Sequence, residues 1–170
     1  MRTMKPKHVL AYMECAEAFA KCSSGERLKV GSVIVKNNRI VSCGYNGLPE
    51  HINGPLEEKV YLKPNAEDWL DIEYIESAWP YMDDNGRYKL VTRPEVRHSE
   101  KNALMGLVKS NESAVGATLF CTHACCMYCA IDIVDAGIIH VIYKHEYRCS
   151  EGLDYLKDNG ILCEKFENYC

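Results

Sequence analysis

Apolar residues recur at three- and four-residue spacing in several stretches of the chain, which is the pattern of a helix with one buried face. In the first stretch, Val9, Met13, Ala16 and Ala20 mark that face. A similar apolar stripe follows Glu100. We therefore predict helices over residues 6–20, 66–78, 100–108, 126–136 and 150–159.

Short runs rich in β-branched residues predict five strands, over residues 30–35, 39–43, 117–121, 140–143 and 161–166. Asn37 and Asn38 join the first two strands. Because asparagine tolerates a positive φ, a tight hairpin is expected there. Strands and helices alternate towards the end of the chain, which predicts an α/β fold whose sheet is covered on both faces.

Residues 48–96 follow a different pattern. Prolines at positions 49, 55, 64, 80 and 94 interrupt any long regular element apart from the helix at 66–78. We interpret this segment as an insertion within a single domain that spans residues 1–170. Four aromatic residues are more than an exposed loop needs, so they pack on one another, on the domain or on a neighbouring subunit. They are Trp69, Tyr74, Trp79 and Tyr81.

The composition narrows the class of protein. A net charge of −4 and the absence of a basic block argue against a protein that grips nucleic-acid backbones. No apolar run is long enough to cross a bilayer, and the N-terminus lacks a signal-peptide core, so we expect a cytoplasmic protein with no membrane contact. The ten cysteines are then expected to be mostly reduced thiols.

Two short motifs carry the candidate chemistry. His98 and Glu100 stand two residues apart at the start of a predicted helix, and Cys126 and Cys129 form a Cys-x-x-Cys pair after a predicted strand. One imidazole and two thiolates are three zinc ligands, and a catalytic zinc site leaves its fourth position for water. Such a site lowers the pKa of the water to about 7, and Glu100 is the expected proton carrier beside it.

The two motifs differ in strength when taken alone. Cys-x-x-Cys is shared with redox-active pairs, and His-x-Glu occurs by chance. The alternative without a functional site is a reduced structural cysteine pair together with an unrelated histidine and glutamate on the surface. Cys125 precedes Cys126 and could compete for the metal, but pairing Cys125 with Cys129 fits the first helical turn less well, so we favour Cys126.

With these motifs the sequence resembles the zinc-dependent cytidine deaminase superfamily, whose signature combines His-x-Glu with Pro-Cys-x-x-Cys. It is most similar to the deoxycytidylate deaminase branch. The resemblance covers nearly the whole chain outside the insertion and runs through residues 29–36, 44–49, 98–104, 122–130 and 141–161. It implies a three-layer α/β/α fold with a mixed, mostly five-stranded sheet and an insertion before the His-x-Glu helix.

The resemblance also implies an activity, namely hydrolytic deamination of dCMP to dUMP for thymidylate synthesis. It implies that His98, Cys126 and Cys129 hold Zn²⁺ and that Glu100 moves protons. Asn46 matches a residue that meets the deoxyribose, and Tyr147 matches a residue at the phosphate end of the substrate.

Regulation and assembly are implied in the same way. Relatives are commonly homohexamers, activated by dCTP with Mg²⁺ and inhibited by dTTP. The allosteric pocket draws on the segment 24–29 and on the Gly-Tyr-Asn-Gly loop, so Lys29, Asn46 and Gly47 are candidate effector contacts.

This chain departs from the family pattern at three points. Cys125 replaces the proline before the first cysteine ligand, and Ser99 stands where alanine is usual. Some relatives carry a second, structural zinc. Here Cys22, Cys43 and His51 are the nearby candidates and match no such pattern, so a single zinc is expected.

Two rival functions remain open from the sequence. The first is deamination of another cytosine compound, such as cytidine, deoxycytidine or a base in RNA, although the acidic balance speaks against a polynucleotide. The second is a non-catalytic module that binds zinc or nucleotide. Glu100 argues against the second, because a binding module has no use for a carboxylate beside three ligands.

Overall fold

The computed structural model describes residues 4–66 and 69–169. Their helices and strands are named in chain order as α1 (Pro6–Ala20), β1 (Gly31–Lys36), β2 (Arg39–Tyr45), β3 (Glu57–Tyr61), α2 (Ile72–Ala78), β4 (Tyr81–Asp83), β5 (Gly86–Thr92), α3 (Ser99–Val108), β6 (Thr118–His123), α4 (Met127–Asp135), β7 (His140–His145), α5 (Glu151–Asp158) and β8 (Leu162–Lys165). A short 3-10 helix, Phe166–Tyr169, follows β8.

Five strands form the central sheet in the order β2-β1-β6-β7-β8. β1 pairs antiparallel with both β2 and β6, whereas β6, β7 and β8 run parallel to one another. The sheet is therefore mixed, as predicted. The parallel part is connected through α4 and α5, which is the crossover that parallel pairing requires.

The hairpin between β1 and β2 forms at the predicted asparagines. Asn37 and Asn38 have φ angles of 50° and 61°, in the left-handed region that asparagine enters more easily than most residues. A turn with two positive φ angles matches the right-handed twist of the flanking strands. The sequence signal for this turn was therefore a local one, and its prediction is confirmed.

Apolar side chains on the two faces of the sheet enter two separate cores. On one face, Val33 and Phe120 pack against Val9 and Met13 of α1. The opposite face packs against α3, α4 and α5, with core residues that include Ile34, Leu119, Val141, Ala103, Ile133 and Leu156. Each fully buried Val, Leu, Ile, Met or Phe side chain contributes about 1.5–3 kcal/mol relative to exposure. Helices on both faces make the three-layer α/β/α arrangement that was predicted.

Most predicted boundaries lie within two residues of the observed ones, and two of the shifts affect the site. The helix predicted over 126–136 begins at Met127, so Cys126 is its N-cap. The helix predicted from Glu100 begins at Ser99, which makes His98 the N-cap of α3. Both residues therefore stand at helix N-termini.

The insertion contains a second sheet that the sequence patterns did not predict. β3, β5 and β4 form a three-stranded antiparallel sheet in that order. Charged side chains sit on both faces of β3, whose sequence is Glu-Glu-Lys-Val-Tyr, so the alternation that normally reveals a strand is absent. The helix predicted over 66–78 is observed as α2 from Ile72, and residues 67 and 68 lie outside the described residues.

The aromatic residues of the insertion contact one another. Tyr81 stacks on Tyr88 with ring centroids 5.4 Å apart, and Tyr74 meets Trp79 edge-on at 6.2 Å. Trp69 keeps 77% of its surface exposed. For these two pairs, the alternative that is observed is packing of the aromatic residues on one another within the insertion.

The described helices include no segment with both the length and the apolar character required to cross a bilayer.

Candidate metal centre

Two helix N-termini meet at one end of the central sheet. His98 caps α3, and Cys126 caps α4 directly after the loop that leaves β6. Cys129 lies in the first turn of α4. A helix N-terminus carries free N–H groups and a partial positive charge, which favour thiolate over thiol. The site is thus built where the fold already stabilises anionic sulfur.

The three side chains offer one ligand atom each, and these atoms lie within 4.8 Å of one another. His98 Nδ1 is 3.4 Å from Cys126 Sγ and 3.4 Å from Cys129 Sγ. Tetrahedral zinc with ordinary Zn–S and Zn–N bonds would separate sulfur and nitrogen by about 3.6 Å. The observed spacing and the soft donor set therefore fit a zinc ion bound by His98, Cys126 and Cys129.

Cys125 does not join this cluster. It is 1% exposed and packs in the core beneath α4 and α5. Burial raises the pKa of its thiol far above the usual range, so it keeps its proton and behaves as a small apolar side chain. The group of ligand atoms found in the described residues contains Cys126 instead.

The close approach of α5 fixes the backbone at the cysteine loop. A Cβ on Gly152 would lie 2.3 Å from the carbonyl oxygen of Cys125 and 2.9 Å from the carbonyl carbon of Cys126. Real side chains do not tolerate such distances, so only glycine lets α5 pack directly on this peptide. The packing of α5 therefore fixes the loop that carries Cys126, independently of the metal-ligating side chains.

Electrostatics prepare Cys126 for metal binding. A hydrogen bond from the Cys129 thiol is the main cause that lowers the pKa of Cys126 to about 3. Burial acts in the opposite direction, and a hydrogen bond with His98 lowers the pKa further. The same sulfur–sulfur contact, together with burial, raises the pKa of Cys129. Of the two sulfurs, Cys126 is therefore the one that ionises more readily. A metal ion held by both would require both as thiolates.

Glu100 lies beside the cluster without contributing one of its three ligand atoms. It is 4% exposed, and burial raises the pKa of its carboxyl group. Its Oε2 accepts a hydrogen bond of 2.9 Å from the hydroxyl of Ser99. A buried carboxyl with an elevated proton affinity next to a metal site is suited to carry protons.

Contacts with β2 hold the N-terminus of α3. A Cβ on Gly44 would lie 2.3 Å from the carbonyl oxygen of Ser99 and 2.4 Å from the nitrogen of Ala103, so the helix rests directly on the strand. Asn102 donates a hydrogen bond of 2.8 Å to the carbonyl of Tyr45. These contacts fix the position of the first turn of α3 on β2, and therefore the position of Glu100.

Asn46 and Gly47 follow β2 close to this turn. Gly47 exchanges two backbone hydrogen bonds with Arg97, of 3.1 and 2.9 Å, directly before His98. Asn46 accepts a 2.7 Å hydrogen bond from the nitrogen of Val30 and donates one of 2.9 Å to the carbonyl of Leu28. Its amide therefore anchors the loop that includes the exposed Lys29.

A cavity of about 230 Å³ lies beside the same loop. Its lining includes Ser24, Tyr45, Asn46, Gly47 and Asn53. It thus combines the segment and the glycine loop that were predicted to contribute to an effector pocket. Lys29 is not part of this lining.

Tyr147 lies near the metal cluster, and it has a cationic neighbour that sequence reasoning missed. Burial is the main cause that raises the pKa of Tyr147, and the charges of Cys126 and Glu100 act in the same direction. The guanidinium carbon of Arg148 lies 5.3 Å from the centre of the Tyr147 ring. Arg148 also acts electrostatically on His98. Its position next to Tyr147 in the sequence was the available signal.

The described residues contain no second group of three His, Cys, Asp or Glu side chains that converges on a point. Burial raises the pKa of Cys43 and the nearby Cys22 adds to the effect, yet His51 does not join the two cysteines in such a group.

Comparison with known proteins gives a consistent family. Residues 6–145 match the model of the cytidine and deoxycytidylate deaminase zinc-binding region. The chain is 30% identical over 166 residues to deoxycytidylate deaminase of Saccharomyces cerevisiae, covering 96% of this chain and 46% of the yeast protein. It is 33% identical over 135 residues to deoxycytidylate deaminase of Mycobacterium phage D29, covering 79% of this chain and 92% of the phage protein.

A solved structure is similar over nearly the whole chain. The dCMP deaminase of cyanophage S-TIM5, in complex with dCMP and dUMP, superposes with a TM-score of 0.76 at 35% identity. The alignment covers 96% of this chain and 99% of the cyanophage chain. The apo form of the same enzyme gives a TM-score of 0.71.

Proposed function

Because the chain belongs to the cytidine and deoxycytidylate deaminase family, we propose that it is a zinc-dependent enzyme that hydrolyses dCMP to dUMP and ammonia. The observation that carries this proposal is the buried carboxyl group of Glu100, which lies beside three converging ligand atoms and is not one of them. Structural zinc sites use four protein ligands and need no such acid. Relatives named deoxycytidylate deaminase from yeast and phage support the same activity.

In the proposed mechanism, Glu100 is the residue that moves protons. A zinc ion held by His98, Cys126 and Cys129 would act as a Lewis acid that makes water nucleophilic at neutral pH. Glu100 accepts a proton from the water that attacks C4 and delivers it to N3 of the pyrimidine. It then accepts the second proton, from the hydroxyl group now on C4, and transfers it to the departing amino group. The C4–N4 bond breaks, a C4–O bond forms, and ammonia leaves.

We propose that Tyr147 and Arg148 meet the 5′-phosphate and that Asn46 lies towards the deoxyribose. The exposed guanidinium of Arg148 is close enough to act electrostatically on His98. A nucleotide whose base lies at the metal needs a cation near that site to bind its phosphate. The net charge of −4 disfavours a polynucleotide, whose phosphates need many cations. A mononucleotide needs only one or two.

The substrate is tested with a panel of cytosine, cytidine, deoxycytidine, CMP, dCMP and dCTP, measured by ammonia release. We expect the highest kcat/KM for dCMP. A preference for cytidine or deoxycytidine would reassign the chain to a nucleoside deaminase. No turnover of any compound by zinc-loaded protein would favour a binding module without catalysis.

The role of Arg148 gives a sharper prediction. Arg148→Ala is expected to raise KM for dCMP by about tenfold or more, because a charge-assisted hydrogen bond contributes about 1.5–3 kcal/mol. Turnover of deoxycytidine, which has no phosphate, should not change. Arg148→Lys is the matched variant and should retain part of the effect, since it keeps the charge without the planar fork. Equal losses on both substrates would remove Arg148 from phosphate recognition.

We also propose that residues 1–170 act as one regulated deaminase domain that assembles into a homohexamer and supplies dUMP for thymidylate synthesis in the cytoplasm. dCTP with Mg²⁺ would activate it, and dTTP would inhibit it. The support is the family resemblance and the cavity of about 230 Å³ lined by Ser24, Asn46 and Gly47. Asn46 links this cavity to the 28–30 loop, and Gly47 links it to the backbone before His98.

Regulation predicts a cooperative dCMP saturation curve. Addition of dCTP with Mg²⁺ should lower the half-saturating dCMP concentration, and dTTP should raise it. Lys29→Ala is expected to weaken the response to dCTP, while Lys21→Ala, another exposed lysine near the loop, serves as its control. A hyperbolic curve that neither nucleotide alters would contradict regulation and leave the deaminase activity intact.

A further inference from the structure

A buried chain of polar side chains backs Glu100 on the side of the central sheet. Ser99 is fully buried, and its hydroxyl donates to Oε2 of Glu100 at 2.9 Å. Ser32, at the start of β1, is also fully buried, and its Oγ lies 2.6 Å from Ser99 Oγ. Cys121 of β6 completes the chain, with its sulfur 3.1 Å from Ser32 Oγ. These groups join two strands of the sheet to the proposed proton carrier.

Two hydroxyl protons serve the contacts of this chain. Ser99 has one, and a carboxylate can only accept, so the contact with Glu100 takes that proton. The Ser32 hydroxyl also has one, which it donates to Cys121 Sγ at 3.1 Å or to Ser99 Oγ at 2.6 Å. When it is donated to Ser99, the Ser99 hydroxyl is polarised and becomes a stronger donor to the carboxylate. In either case the close contact with Ser32 restrains the Ser99 hydroxyl.

Few other groups restrain this carboxylate. Among the described residues, the hydrogen bonds to Glu100 come from the Ser99 hydroxyl and from its own backbone N–H. Both are local to the first turn of α3. Without Ser99, the side chain would keep its burial but lose the contact that selects one rotamer. A proton carrier displaced by about 1 Å loses much of its rate advantage.

From these contacts we propose that Ser99 is a positioning residue for the deamination, which holds Oε2 of Glu100 so that the remaining carboxylate lone pairs face the substrate, and that Ser32 supports it. The inference rests on the proposed function. Ser99 itself does not touch the reacting atoms.

Ser99→Ala tests the proposal in zinc-loaded protein with dCMP as substrate. We expect kcat to fall about ten- to hundredfold, the range for loss of a hydrogen bond to a charged group. KM should change by no more than about twofold, because the contact orients the catalyst without binding substrate. Ser32→Ala should lower kcat in the same direction by a smaller factor. Zinc content and the melting curve are recorded for each variant.

Ser42→Ala is the matched control. The Ser42 hydroxyl donates a 2.6 Å hydrogen bond to the carbonyl of Ala103, so it also joins the sheet to α3, but it does not contact Glu100. Its kcat should stay within about twofold of the unmodified chain. If Ser42→Ala and Ser99→Ala lowered kcat equally, a general loosening of α3 would explain both, and the proposal would be wrong.

A double variant separates positioning from simple packing. In a Glu100→Gln background, Ser99→Ala should cause little further loss of kcat, because residues that act as a unit are not additive. If Glu100→Gln has no measurable rate, Glu100→Asp replaces it, since its shorter side chain withdraws the carboxylate from Ser99. The same fold-loss in both backgrounds would overturn the proposal. An unmodified chain that does not deaminate dCMP would instead refute the proposed function.

Discussion

Glu100→Gln is expected to lower kcat for dCMP by about 10²–10⁴-fold, the contribution typical of a positioned proton carrier. Glutamine has nearly the shape of glutamate and can still accept the hydrogen bond from Ser99, so the buried site should keep its packing. It cannot take a proton from water and pass it to the pyrimidine. Zinc binding should remain, because Glu100 contributes none of the three ligand atoms.

Steady-state kinetics with dCMP, zinc content and a thermal melt together measure this prediction. Glu112→Gln removes an exposed carboxylate shortly after α3 and provides the control, with activity close to that of the unmodified chain. Turnover that survives Glu100→Gln at full rate would exclude Glu100 from the mechanism. Loss of zinc would show instead that its role is to support the metal site.

Replacing the two adjacent cysteines should have opposite effects on metal content. Cys126→Ser is expected to abolish stable zinc binding and activity, because a serine hydroxyl is a poor zinc ligand at neutral pH and two of the ligand atoms remain. Cys125→Ser should keep the metal. Its cost falls on stability, at about 1–3 kcal/mol, because it puts a hydroxyl into a buried apolar position.

Metal analysis after dialysis, combined with denaturant unfolding, distinguishes these outcomes. The two variants exchange the same atoms at neighbouring positions, so each is the control for the other. Zinc retained in Cys126→Ser and lost from Cys125→Ser would move the ligand assignment by one residue. Zinc lost from both would mean that the loop between β6 and α4 has changed shape.

The sequence predicted the central layers well because the signals there are strong and local. Regular apolar stripes marked α1 and α3, and the paired asparagines marked the β1–β2 turn. Fully buried strands such as β1 appear as continuous apolar runs, which a solvated loop would not show. The order of the strands in the sheet was not predicted, because strand pairing joins residues that are far apart in the chain.

The insertion was predicted less well for a physical reason. Its strands are held by backbone pairing, aromatic contacts and ion pairs such as Lys59–Asp83, at 2.6 Å, more than by one buried face. Charged residues therefore occupy both faces of β3, and hydrophobic periodicity is lost. The pairing of β3 with β5 is long-range and leaves no local sequence pattern, whereas the Asp84-Asn85-Gly86 turn between β4 and β5 was a local signal that the prediction missed.

The candidate site was only partly accessible to sequence reasoning. His98, Cys126 and Cys129 have chemistry that identifies them wherever the chain brings them together. Ser32 and Arg148 have no such distinction, since serine and arginine occur throughout the surface and core. Ser32 becomes relevant through its contact with Ser99, which lies 67 residues away in the sequence. Arg148 becomes relevant through its position over the Tyr147 ring. Ser99 attracted attention in the sequence only as a departure from the family pattern.

Metal removal and replacement tests the central claim most directly. Purified chain is stripped with a chelator, assayed for conversion of dCMP to dUMP, and assayed again after one equivalent of Zn²⁺ is restored. We predict that activity disappears with the zinc and returns in proportion to the metal bound. Undiminished turnover by protein with no detectable transition metal would contradict the account.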